Sequence, residues 1–191
     1  MIWNLPNALT WLRIFAVPLV VVLFLVGMRD THSLAGPFAA VVFALAAITD
    51  TLDGYLARRL GQMTRLGAFL DPVADKLIVA VALVLIVSRD ARALMVLTAA
   101  VIIGREIAIS ALREWMAELG KRATVAVSNL GKYKTILQMV GLTMMLWGSD
   151  LFGLPIYEMG LWLTLVAAAL TLVSAGVYLR AAWPHLRDPG P

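Results

Sequence analysis

Asp50-Thr51-Leu52-Asp53-Gly54-Tyr55-Leu56-Ala57-Arg58, followed by Gly67, Asp71 and Asp75, sets four carboxylates within 26 residues of an otherwise apolar chain. Asp50 and Asp53 are three apart and Asp71 and Asp75 four apart, so each pair falls on one helical face and can converge on a shared ion. The segment from Gly61 to Gly67 lets the chain reverse between the two pairs. Gly54 and Ala57 share the Asp50 and Asp53 face, where the near absence of side chains leaves room for a flat or phosphorylated ligand. Arg58 adds a phosphate-binding fork just beyond. Helix capping before Pro72 accounts for Asp71, and pairing with Arg58 or Arg59 for two acids more. Four carboxylates held together still repel unless protonated or bound to cations. Carboxylate-only ligation favours Mg²⁺ or Mn²⁺ over Zn²⁺, and two such ions would bridge a pyrophosphate and stabilise its departing charge.

The sequence around this cluster is written for lipid. Hydrophobic residues make up 61% of 191 and charged residues 15%, against roughly 45–50% and 25% in soluble domains. Mean hydropathy is +0.87. A membrane-crossing helix needs about 20 apolar residues. Six runs come near that: Ala8 to Met28, Leu34 to Leu60, Ala68 to Val87, Ala93 to Trp115, Ser128 to Trp147 and Ile156 to Leu179. Pro6 lies just before the first run, Pro72 in the first turn of the third, and Gly153 with Pro155 before the sixth. No linker, low-complexity tract or repeat divides the chain, so residues 1–191 read as a single polytopic membrane domain. The first run lacks a small-residue cleavage pattern and reads as a retained helix.

Six spans put both termini on one side. Arg58, Arg59 and Arg65 follow the second run, Arg113, Lys121, Arg122, Lys132 and Lys134 surround the fourth connection, and Arg180 and Arg187 lie at the C-terminus. The opposite connections hold only Arg29, Arg89 and Arg92. Positive charge resists translocation, so both termini and the second and fourth connections are expected in the cytoplasm. This asymmetry accounts for the net charge of +4 without nucleic acid as a partner. The apolar parts of the second and fifth runs, Leu34 to Thr49 and Ile136 to Trp147, are too short to span alone. They borrow Asp50 to Arg58 and Ser128 to Thr135, which sets charged helical turns, and the chemistry, at the cytoplasmic interface. With no cysteine, thiolate sites and cysteine nucleophiles are excluded. His32 and His185 fall in connections or tails and read as solvated polar residues. Trp115, Trp147 and Trp183, near span ends, read as interfacial anchors.

The motif fills D-x2-D-G-x2-A-R-x8-G-x3-D-x3-D without a mismatch. It resembles the signature of the CDP-alcohol phosphotransferases. That resemblance implies an all-α integral membrane protein with six transmembrane helices, and a dimer in a bacterial inner (cytoplasmic) membrane with its active site facing the cytoplasm. It implies two divalent cations, Mg²⁺ or Mn²⁺, held by Asp50, Asp53, Asp71 and Asp75, with Asp75 also the general base. Asp53, Gly54, Ala57, Arg58, Thr64 and Gly67 would line the nucleotide pocket; for Thr64 an ordinary loop hydroxyl is an equal reading. The expected chemistry is transfer of a phosphatidyl group from a CDP-activated lipid to an alcohol, with release of CMP.

Three further stretches bear on the alcohol. Asn4-Leu5-Pro6-Asn7 with Thr10 and Arg13, Gly104-Arg105-Glu106 through Ser110 to Arg113-Glu114, and Val127-Ser128 through Gly131-Lys132 to Lys134-Thr135 with Gln138 resemble the branch of the family whose acceptor is glycerol 3-phosphate. Glu106, Ser110 and Arg113 form one stripe of the fourth helix, and Gly131, Lys134, Thr135 and Gln138 one stripe of the fifth. Polar stripes in apolar helices should face each other. With CDP-diacylglycerol as donor, the phosphate of sn-glycerol 3-phosphate would be held by Arg105, Arg113, Lys132 or Lys134. The competing reading pairs Arg105 with Glu106 or Glu114 and leaves Lys132 and Lys134 as interfacial anchors. Asn7 and Thr10 are candidates for nucleotide contact, or for helix initiation. Two alternatives remain: the same chemistry with inositol phosphate or serine, and a divalent-cation transporter. A transporter often shows inverted repeats and a midplane site. Here no repeat is visible and the acids sit at an interface.

Overall fold

The computed structural model describes residues 5–30, 33–60, 65–118 and 129–186, with side chains described for 8–30, 33–49, 67, 69–118 and 133–183. The described residues form six α-helices: α1 Leu5–Arg29, α2 Ala35–Leu60, α3 Arg65–Arg89, α4 Ala93–Glu118, α5 Asn129–Trp147 and α6 Ile156–Leu186. Each of the six expected apolar runs corresponds to one helix, and several helices run into the flanking polar turns. This shifts one expectation. Because α3 starts at Arg65, Pro72 lies in the helix interior and not in its first turn. With no N–H to give, Pro72 leaves the carbonyl of residue 68 unmatched in the i→i−4 ladder, just before Asp71.

Three stretches, Ala8–Arg29, Ala93–Glu118 and Ile156–Trp183, are long and apolar enough to cross a membrane, and Ala35–Thr49 is a shorter apolar stretch. At 1.5 Å per residue the shortest of the three, 22 residues, reaches about 33 Å, which matches a hydrocarbon core of about 30 Å.

The helices alternate in direction. Thr10 touches Asp71 near the starts of α1 and α3, and the Arg89 guanidinium lies 5.3 Å from the Phe24 ring near their ends, so α1 and α3 run parallel. Gly27 and Gly36 meet at the turn from α1 to α2, making that pair antiparallel. At the far end of α3, Arg89 reaches Met145 of α5 and Tyr157 of α6. The starts of α1, α3 and α5 and the ends of α2, α4 and α6 therefore share one end of the bundle, and the polar motifs lie there. Contacts join α1 to α2 and α3, α5 to α2, α3 and α6, and α4 to α3 and α6.

Lipid tails are as apolar as leucine, so helices in a bilayer associate through close fit more than through water exclusion. Small residues supply that fit: Ala39, Ala40 and Ala82 are fully buried in one cluster with Phe24, Phe43, Leu83, Ile86 and Met95. The backbones of α5 and α6 approach closely. A methyl added at Gly141 would come 2.8 Å from the carbonyl oxygen of Gly160 and 2.5 Å from Thr164 Oγ1. Thr164 Oγ1 in turn donates to the Gly160 carbonyl at 2.8 Å, so the buried hydroxyl is satisfied within its own helix.

The end opposite the motifs is held by a polar clasp. Arg89 Nη2 donates to the Met145 carbonyl in the last turn of α5, meeting one of the acceptors a helix end leaves over. Gly148 follows with φ +76°, the left-handed stop that glycine tolerates, and leaves space for the guanidinium. Beside it Asp90 accepts from Arg92 Nη2 at 2.8 Å and from the Tyr157 hydroxyl at 2.6 Å, while Arg92 also reaches Glu158 at 2.9 Å. The Arg92 bond holds the Asp90 carboxyl well below the usual carboxylate range, with the Tyr157 hydroxyl assisting against partial desolvation. Asp90 and Glu158 raise Arg92 correspondingly.

Candidate active site

A cavity of about 320 Å³ opens at the motif end between α3 and α4, lined by Asp71, Pro72, Asp75, Lys76, Arg105, Glu106, Ile109, Ser110 and Arg113. Its α3 wall is the broad face made by positions i, i+1, i+4 and i+5, counted from Asp71. Its α4 wall carries Glu106, Ser110 and Arg113, the stripe expected from the sequence, with Arg105 beside it. Two acids of the motif therefore share one space with the basic stretch of α4. Nothing in the local sequence of either helix required this; the antiparallel fit of α3 on α4 produces it.

Asp71 is half-buried and accepts a 2.6 Å hydrogen bond from Thr10 Oγ1. Thr10 is 2% exposed, and Arg13, one turn further along α1, is 1% exposed. Thr10 sits in the second turn of α1, past the cap position that helix initiation would need. The available signal was the i, i+3 spacing of these two polar residues inside an apolar run. Gly67 is buried at the start of α3.

On the α4 side, Glu106 is the centre of an ion cluster. It accepts from Arg105 Nη1 and from Lys134 Nζ, the latter at 3.2 Å. The Arg105 and Lys134 side chains are 8% and 10% exposed. The polar stripes of α4 and α5 thus meet through Glu106 and Lys134, with Gln138 buried on the same face and Thr135 exposed. The pairing of Arg105 with Glu106, one of the readings open from sequence, is observed. Arg105 Nη2 also donates to Ser174 Oγ at 3.0 Å, and the Arg113 guanidinium stands 5.1 Å from the Tyr178 ring. Arg105 Nε is buried with no partner among the described residues. Ser174, Tyr178 and Lys76 were missed by the sequence reading. The first two are isolated polar residues in an apolar helix, and only the α4·α6 contact gives them a role.

Asp50, Asp53, Gly54, Ala57 and Arg58 lie on the helical C-terminal part of α2, but their side chains fall outside the described residues. Thr64 and the Lys132 side chain fall outside as well. Among the described residues no three acids or histidines gather as a metal site. Asp71 and Asp75 alone offer hard oxygen donors on one cavity wall, a donor set that fits Mg²⁺ or Mn²⁺.

Residues 3–173 match the sequence model of the CDP-alcohol phosphatidyltransferases. The chain belongs to that family. Among CDP-alcohol phosphatidyltransferases it is 50% identical over 187 residues to a CDP-diacylglycerol--glycerol-3-phosphate 3-phosphatidyltransferase of Escherichia coli (strain K12), covering 97% of this chain and 98% of the relative. Its identity to the Pseudomonas fluorescens protein of the same name is 50% over 188 residues, 98% of this chain and 94% of that one. A Shigella flexneri serotype 5b protein, again so named, is 50% identical over 187 residues. For a CDP-alcohol phosphatidyltransferase, a cavity with carboxylates on one wall and ion-paired basic side chains on the other suits a phosphorylated substrate.

Proposed function

We propose that this protein transfers the phosphatidyl group of CDP-diacylglycerol to sn-glycerol 3-phosphate, giving phosphatidylglycerophosphate and CMP. The observation that carries the reading is the shared cavity: Asp71 and Asp75 face Arg105, Glu106, Ser110 and Arg113 across about 320 Å³. Near-full-length relatives bearing that enzyme name support the choice of acceptor.

Asp75 takes the proton of the acceptor's free hydroxyl. That oxygen bonds to the lipid-side phosphorus, the phosphorus to bridging-oxygen bond breaks, and CMP leaves with the bridging oxygen. A base within hydrogen-bond reach contributes about 10²–10⁴-fold to such a step. Asp50, Asp53, Asp71 and Asp75 would hold two divalent cations, which when bound neutralise charge building on the leaving phosphate. Asp53, Gly54, Ala57, Arg58, Thr64 and Gly67 form the nucleotide side. Arg105, Arg113, Lys132 and Lys134 form the acceptor side, with Glu106 keeping Arg105 and Lys134 in place before substrate arrives.

In this reading all six helices span a bacterial inner membrane as one domain, residues 1–191, with both termini and the cavity cytoplasmic. The functional unit is a homodimer. Positive charge concentrated at the motif end supports the orientation.

The test is CMP release by purified protein in detergent, with CDP-diacylglycerol, Mg²⁺ or Mn²⁺, and glycerol 3-phosphate, inositol phosphate or serine in separate reactions. Turnover with glycerol 3-phosphate alone is the expected result. Selective turnover with another acceptor keeps the chemistry and overturns the pocket; metal flux without turnover overturns both.

A further inference from the structure

The cavity holds a cation that the acceptor set above does not use. Lys76 lines it one residue beyond Asp75, on the α3 wall opposite Arg105 and Arg113. Among the described residues, Arg105, Lys134 and Arg113 at this end are engaged. Arg105 is bonded to Glu106 and Ser174, Lys134 is bonded to Glu106, and Arg113 stands over Tyr178. Lys76 is half-buried, and among the described residues it makes no hydrogen bond or ion pair, not even with Asp71 or Asp75 on its own wall.

A partly desolvated ammonium without a counter-ion is costly to keep, and the cost is offset when an anion enters. In the proposed reaction the acids on its wall would hold divalent cations, so the anion would come with the substrates. Two substrates carry phosphate. Asp53 to Arg58 of the nucleotide side lie on α2, and Gly67 lies at the start of α3 more than two turns before Lys76, whereas the wall facing Lys76 is the α4 stripe. A phosphate monoester seated against Arg113 therefore meets Lys76 from the other side.

We propose that Lys76 binds the phosphate monoester of the acceptor, closing from α3 a grip whose other half comes from α4. The assignment rests on the proposed reaction and deepens it. Lys76 follows Asp75 directly, so one helical turn would hold the acceptor's phosphate and receive its proton. This fixes the distance between the charged and the reacting ends of the molecule, and favours an alcohol with a phosphate over a neutral or zwitterionic one.

The experiment compares the full-length wild type with Lys76→Ala, Lys76→Gln and Lys76→Arg in detergent. Initial rates are taken against glycerol 3-phosphate and CDP-diacylglycerol separately, with calorimetric titration of glycerol 3-phosphate alongside. Loss of one charge-assisted contact should raise the acceptor KM on the order of 10-fold and weaken direct binding equally. The KM for CDP-diacylglycerol should stay put, and Lys76→Arg should recover most of the loss. Lys76→Gln keeps the length of the side chain, and its melting temperature guards against a folding defect in the alanine variant. An unchanged acceptor KM in an active enzyme, or an equal rise in the KM for CDP-diacylglycerol, overturns the Lys76 assignment alone. A wild type that releases no CMP with glycerol 3-phosphate overturns the reaction, and the assignment with it.

Discussion

Thr10 Oγ1 donates a 2.6 Å hydrogen bond to Asp71 Oδ1, which ties the second turn of α1 to the acidic face of α3. The bond fixes how the carboxylate is turned, as outer partners of metal-binding groups commonly do. Thr10→Val keeps the shape and removes the donor. It should weaken Mn²⁺ binding on the order of 10-fold, while Thr10→Ser retains it. Mn²⁺ titration followed by electron paramagnetic resonance reads this without turnover. Equal affinity in the valine variant would detach Thr10 from the site.

Asp75→Asn removes the proposed base and keeps the volume. Turnover should fall by at least about 10²-fold. Binding of CDP-diacylglycerol, measured by calorimetry, should persist. Unchanged kcat would take Asp75 out of proton transfer.

Glu106→Gln leaves Arg105 and Lys134 facing each other with their carboxylate gone. Breaking a buried pair this way costs about 3–5 kcal/mol, and Glu106, only part-buried, should fall toward the lower bound. The melting temperature should drop, and saturating glycerol 3-phosphate should restore part of it by resupplying an anion. A variant as stable as the wild type would mean the cluster contributes nothing.

Gly141→Ala puts a methyl group 2.8 Å from the Gly160 carbonyl. Backbone lies on both sides of that contact, so the helices must part. Destabilisation of about 1–3 kcal/mol is expected, with little change in KM for either substrate. Thermal unfolding in detergent measures it, and a neutral result would show that α5 and α6 can slide.

At the opposite end, Asp90 has its carboxyl held low by Arg92 and the Tyr157 hydroxyl. A group whose folded value is depressed stabilises above its unfolded value, here about pH 4, and that contribution disappears as pH falls below it toward the folded value. Asp90→Asn should therefore melt below the wild type at pH 7, with the gap narrowing in acid. A gap that is constant with pH would assign the loss to geometry and not to charge.

Most of the fold was legible because apolar runs alternate with charge. Ala93 and Ile156 were expected as helix starts and are observed as such; Trp147 was expected as an end and is one. Errors fell where polar turns prolong a helix, from Leu179 to Leu186 in α6 and back from Ala68 to Arg65 in α3. Periodicity cannot see such extensions, since a charged turn at an interface and a loop have the same composition. At the site, Asp71, Asp75 and the Glu106, Ser110, Arg113 stripe were legible from spacing. Ser174 and Tyr178 were not, because a lone hydroxyl on an apolar helix acquires meaning only from what faces it.

The Arg89 clasp on the last turn of α5 reaches further than its own end of the bundle. A helix of 19 residues is about 28 Å long, so each degree of tilt about one end moves the other by about half an ångström. Lys134 rides on the swinging end, and the Gly141 contact with α6 lies between it and the clasp. The placement of the Lys134 ammonium against Glu106, which lines the cavity, is thus tied to a guanidinium on the opposite side of the bundle, acting through a rigid lever.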